Sequence, residues 1–142
     1  MPAQTTLPAT GNAQLHVQFI EGEAYEIQVR GHRVRVDQPV NARGADGAPT
    51  PTELFVASLA SCVAFYAGRY LTRHGYRRDG LGVSVDYQMA GNRPARVAAV
   101  QVHLRVPAEL PAERRPALLA VAAHCTVHNS LTQPPAVTVE LS

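Results

Sequence analysis

Thr50-Pro51-Thr52-Glu53-Leu54-Phe55-Val56-Ala57-Ser58-Leu59-Ala60-Ser61-Cys62-Val63-Ala64-Phe65-Tyr66-Ala67-Gly68 is the stretch on which the fold turns. Thr50 is a helix N-cap residue, Pro51 suits the first helical position, and Glu53 stands where it can close a capping box with Thr50. The helix is expected to run to about His74 and to stop at Gly75. It is apolar on nearly every face through Gly68, so it belongs at the centre of something. From Leu54 to Gly68 no charge intervenes. Such a stretch rises roughly 22 Å as a helix, short of the roughly 30 Å hydrocarbon core, so a buried helix is expected and no membrane span.

Upstream, apolar residues alternate with polar ones in three short runs: Leu15, Val17 and Phe19; Tyr25, Ile27 and Val29; Val34 and Val36. Period-two patterning marks half-buried strands. Glu21-Gly22-Glu23 and Arg30-Gly31-His32 are short enough to be hairpin turns, which predicts a three-stranded meander. Residues 1–13 are expected to be a loose arm, and Gln38 to Thr50 reads as a loop.

Downstream, Val83, Val85, Tyr87 and Met89 form one alternating run and Val100, Val102, Leu104 and Val106 another. A second helix is expected between about Pro111 and Ala123, with Pro116 kinking it or marking its true start. A short turn or helix follows around Val127 to Leu131, and Val137, Val139 and Leu141 predict a last strand. The order βββ-α-ββ-α-β is α+β, a single domain over residues 1–142 with antiparallel sheets around a long central helix. Neither half covers that helix by itself, so an intertwined homodimer is expected.

The 142 residues carry 13 basic side chains, all Arg, and a formal net charge of +2. That charge is too small, and the arginines too scattered, to imply nucleic acid. Met1 to Thr6 lacks the features of a secretory signal. Two cysteines are too few for a disulfide scaffold, so a cytoplasmic location with reduced thiols is expected.

Cys62 shares a helical face with Ser58, Leu59, Phe65, Tyr66 and Arg69. A small buried hydrophobe and a reactive thiol are both open readings. Cys125, in His124-Cys125-Thr126-Val127-His128-Asn129, precedes a helix start, where backbone N–H groups can depress a thiol pKa. His124, Cys125 and His128, with Cys62 as a fourth, are conceivable metal ligands. No Cys-x-x-Cys pair supports that, so neither metal nor cofactor is expected. His16 and His103 fall on polar strand faces and His74 at a helix end.

Asp37-Gln38-Pro39, Gly44 to Pro51, and Thr52-Glu53-Leu54-Phe55-Val56-Ala57-Ser58-Leu59-Ala60-Ser61-Cys62 together resemble the OsmC/Ohr family, the osmotically inducible protein C and organic hydroperoxide resistance group. Cys125-Thr126-Val127 stands where that family carries a Cys-Pro-Val type segment. The resemblance covers roughly residues 13 to 142 and is nearer the OsmC-like branch. It implies a dimeric thiol peroxidase in which Cys62 attacks the O–O bond of an organic hydroperoxide and becomes a sulfenic acid. Cys125 then condenses with it to a disulfide, which a dithiol reductant of the lipoyl-protein type reopens. An apolar pocket involving Phe55, Leu59, Phe65 and Tyr66 would favour organic peroxides.

Three positions depart from the family pattern. Thr52 stands where a carboxylate is usual, with Glu53 one residue late. The first hairpin lacks the usual thiolate-holding Arg, for which Arg33, Arg35, Arg43 and Arg69 are candidates. Thr126 replaces Pro. The other reading is a slow or non-catalytic thiol protein that senses oxidants or binds a small apolar ligand.

Overall fold

The computed structural model describes residues 14–142; the expected N-terminal arm, residues 1–13, lies outside the described residues. The chain divides after Pro51 into two compact units.

The first unit is the expected meander, β1 (Leu15–Glu21), β2 (Ala24–Val29) and β3 (His32–Val36), paired antiparallel in that order. Val17 pairs with Ile27 and Ile27 with Val34, so the apolar positions line up across one face. Gly22 (φ 54°) opens the first turn and Arg30 (φ 55°) the second, the left-handed conformations that tight hairpins demand. Phe19 and Tyr25 meet edge to face with ring centroids 5.6 Å apart. Leu15, Val17, Phe19, Tyr25 and Val34 are nevertheless exposed.

The loop after β3 is built around a carboxylate. Asp37 is buried, and its oxygens accept the backbone N–H of Gln38 at 2.7 Å and of Gly47 at 3.0 Å. These bonds hold its pKa below the usual carboxylate value. A 3-10 turn (Val40–Ala42) follows, and at Gly44 a Cβ would fall 1.8 Å from the Gln38 carbonyl oxygen.

The second unit opens within α1 (Pro51–Arg73), which starts at Pro51, the last residue of the first unit, as the cap pattern predicts. Gly75 (φ 78°) ends it: the Tyr76 N–H bonds to the Leu71 carbonyl at 2.8 Å and the Gly75 N–H to Thr72 at 3.2 Å. That paired arrangement is a Schellman stop, with Tyr76 packed on the core beneath it. At 23 residues α1 is longer than its uncharged stretch, and by length and composition alone it could cross a membrane. Here it is the core helix. Leu59, Val63, Ala67, Tyr70 and Leu71 form one buried cluster with Leu110, Leu118, Ala122 and Cys125. The hairpin β4 (Gly82–Met89) and β5 (Val97–Arg105) packs Val83, Val100, Val102 and Leu104 against that cluster.

A 3-10 turn (Ala112–Arg114) leads into α2 (Arg115–Ala123), and Pro116, in its first turn, marks the helix start rather than a kink. Next comes α3 (Thr126–Thr132). The last strand does not form. Residues 133–142 carry no regular structure, and Val137, Val139 and Leu141 are 78%, 93% and 100% exposed. A strand needs a ladder partner, and among the described residues this segment pairs with none. The second sheet therefore has two strands where three are expected.

Candidate active site

Cys62 lies midway along α1, half-buried, at the edge between the face carrying Leu59, Val63 and Ala67 and the exposed face carrying Phe65 and Arg69. Cys125 is fully buried and is itself the N-cap of α3, with φ −68° and ψ 158°. In that role its Sγ accepts the His128 backbone N–H at 3.4 Å. Both cysteines are free thiols, and Cys62 packs against the buried cluster that contains Cys125, close enough to influence its thiol.

The helix start does not depress the Cys125 pKa, contrary to the expectation from sequence. Burial, the strongest influence, pushes it up, and Cys62 pushes in the same direction. The N–H groups of His128 and Val127 pull it down by less. An ionised sulfur loses more by leaving water than two N–H dipoles return. Burial thus favours the protonated form of Cys125.

Close by, an apolar cavity of about 250 Å³ opens between the elements that carry the thiols. Leu59 and Val63, which flank Cys62 in sequence, line one side; Ala122, Ala123 and His128, which bracket Cys125, line another. Val100, Val102 and Leu104 of β5 and Leu119 of α2 complete the lining. Of the four pocket residues expected from sequence, Leu59 lines this cavity. Phe55 and Phe65 point to solvent, and Tyr66 turns its hydroxyl to Thr126 Oγ1 at 2.6 Å.

His124 and His128 do not turn toward the sulfurs as metal ligands would. The Nδ1 of His124 bonds to the Ala120 carbonyl at 2.7 Å and that of His128 to the Ala123 carbonyl. Among the described residues no group of three His, Cys, Asp or Glu is arranged to hold a metal ion. The candidate arginines have local engagements. Arg33 reaches Glu26 at 3.7 Å, Arg35 reaches Glu21 at 3.5 Å, and Arg69 lies 5.6 Å above the Phe65 ring. Arg43, in the left-handed region at φ 71°, lines a polar cavity of the first unit with Arg35 and Asp37.

Sequence reasoning missed two participants. Thr126 reads as a mere departure from a family pattern, and His128 as a metal ligand. The useful signal was the interval from Cys125 to His128, the spacing at which an N-cap side chain meets a backbone N–H.

Comparison with known proteins gives a consistent picture. The family model described as OsmC-like protein matches residues 44–140. A structure from Psychrobacter arcticus 273-4, described as an osmotic stress induced and detoxification response protein, is 25% identical. It superposes with a TM-score of 0.78 over 87% of this chain and 91% of that one. An organic hydroperoxide resistance protein OsmC from Legionella pneumophila is 16% identical, with a TM-score of 0.66 over 87% of this chain and 91% of its own. The organic hydroperoxide resistance protein OhrB of Bacillus subtilis is 15% identical, with a TM-score of 0.62 over 89% and 94%. The last two likenesses establish the fold: antiparallel strands with a long central helix. No curated protein matches the sequence.

Proposed function

The chain belongs to the OsmC-like protein family, and we propose that it is a thiol-dependent hydroperoxide reductase that takes organic hydroperoxides through a Cys62/Cys125 redox pair in oxidative-stress defence. The observation that carries this reading is the pairing of a half-buried thiol with a fully buried one beside an apolar cavity. The names of the Legionella and Bacillus neighbours, both organic hydroperoxide resistance proteins, support the substrate class.

The chemistry follows from the two environments. Cys62 as thiolate attacks the terminal oxygen of R–O–OH; the O–O bond breaks, ROH leaves after protonation, and the sulfur becomes S–OH. Cys125 loses its proton, attacks the Cys62 sulfur and forms the disulfide, and the departing hydroxide leaves as water. A dithiol reductant, of the lipoyl-protein type in this proposal, reopens the disulfide by exchange and is itself oxidised to a disulfide. Leu59, Val63, Val100 and Val102 offer the alkyl part of the substrate an apolar surface that water lacks reason to fill.

The proposal includes a cytoplasmic homodimer. Val137, Val139 and Leu141 alternate in a segment without a ladder partner among the described residues, which a second copy would supply. A clean monomer in sedimentation would remove that part. The enzyme assignment is tested by adding about one equivalent of an organic hydroperoxide to reduced protein and recording intact mass. The expected result is a rapid loss of about 2 Da with a peptide joining Cys62 to Cys125. Free thiols throughout would overturn it.

A further inference from the structure

Two contacts between α1 and the start of α3 run side by side. Cys62 and Tyr66 are one helical turn apart on α1, and Cys125 and Thr126 are consecutive at the other end. Cys62 packs against the buried cluster that holds Cys125, while the Tyr66 and Thr126 hydroxyls meet at 2.6 Å, a short bond in which either can donate. We propose that Tyr66 and Thr126 are positioning residues, a clasp that holds Cys125 at the distance from Cys62 from which a disulfide closes.

The need for such a clasp lies in α3 itself. It has seven residues, too few to be stable alone, and its cap is a sulfur, a weak acceptor, 3.4 Å from the N–H it serves. Asn129 Nδ2 donates to the His124 carbonyl at 3.1 Å, and His128 bonds to Ala123; these tie α3 to the segment just before it. The Tyr66–Thr126 bond ties it to the helix that carries Cys62. The Tyr66 ring is held in turn, edge-on to Phe65 at 5.7 Å and 84°. Thr126 contributes through its hydroxyl, which a residue without one in that place would lack.

Closing the disulfide requires the sulfurs to approach to about 2.05 Å with their Cα atoms within about 7 Å. Each excursion of the α3 N-terminus lowers the effective concentration of one thiol at the other. On the peroxidase reading, which this consequence rests on, the sulfenic acid has two fates. Cys62–SOH and Cys125–SH give the disulfide and water, or Cys62–SOH and a second ROOH give Cys62–SO₂H and ROH. The clasp favours the first.

The test uses Tyr66→Phe, Thr126→Val, the double variant and Thr126→Ser in the full chain. Equilibration in glutathione redox buffers measures the effective concentration of the cysteine pair with no peroxide present. Loss of one hydrogen bond predicts a fall of about three- to ten-fold in Tyr66→Phe and in Thr126→Val. The double variant should be no worse than either single one, because one bond is lost in each case. Thr126→Ser, which keeps the hydroxyl, should match the parent. With excess organic hydroperoxide, the ratio of sulfinic acid to disulfide by intact mass should rise by a similar factor in the same variants. An unchanged glutathione equilibrium in both single variants, full additivity of the two losses, or failure of Thr126→Ser to match the parent would each overturn the clasp. If the glutathione effects appear while peroxide yields no disulfide in the parent, the clasp stands and the peroxidase assignment falls.

Discussion

Cys62 occupies the twelfth position of a 23-residue helix and is half-buried, while Cys125 caps a seven-residue helix and is wholly buried. The long helix holds its cysteine rigidly through hydrogen bonds up and down its length and leaves the sulfur at the border of the core. The short one puts its cysteine where the chain changes direction, offers it backbone N–H groups, and then withdraws water from it. Position in a helix and distance from solvent are thus varied independently, and the two thiols take different access from that. The half-buried member suits the encounter with a substrate; the buried member suits an intramolecular second step.

The strongest way to break this contrast is to remove each sulfur in turn. Cys62→Ser should abolish peroxide consumption. Cys125→Ser should permit one turnover and leave a sulfenic acid, detectable by trapping with a dimedone-type nucleophile. Equal, full activity in both variants would show that the division of labour is wrong. Access is the next discriminator. Iodoacetamide on the reduced protein should label Cys62 first and Cys125 roughly 10²-fold more slowly, because a buried thiol reacts only after local opening. Comparable rates would mean that Cys125 is far more accessible than its burial implies.

The pH dependence of the second step is smaller but sharper. Burial raises the Cys125 pKa, so the proton stays on through the ordinary thiol range, and the attacking thiolate grows only as pH rises. Disulfide formation from the sulfenic acid should therefore climb by up to about tenfold per pH unit, with no plateau in the ordinary thiol range. Stopped-flow oxidation of reduced protein across pH 6.5–9 measures this. A plateau near neutral pH would mean that the N–H groups of His128 and Val127 outweigh burial.

Much of the fold was legible because the deciding signals are local. Thr50-Pro51 and Gly75 bracket α1 in sequence as they do in space, and the period-two runs became β1 to β5. What failed was a statement about partners. Val137, Val139 and Leu141 alternate as well as Val83 and Val85 do, yet β4 has β5 beside it and the tail has no strand beside it among the described residues. Periodicity reports a preference for extended backbone with two unlike faces; it carries no information on what supplies the ladder.

The site divides in the same way. Both cysteines were readable as residue types, but the raised Cys125 pKa was not, since it is the balance of burial against two N–H groups. The Tyr66–Thr126 bond joins residues 60 apart in sequence, beyond any local pattern. The cavity draws its lining from α1, β5, α2 and α3, and Phe55 and Phe65, which the family resemblance offered as pocket residues, face solvent.

The loop anchored on Asp37 sets terms for how this sequence can drift. Asp37 takes N–H groups from Gln38 and Gly47, and any Cβ at position 44 would overlap the Gln38 carbonyl. Descendants of this chain cannot pass through any intermediate that carries a side chain at position 44 without first dismantling the turn. Variation in this region is therefore channelled around the Asp37 carboxylate and the glycine at position 44.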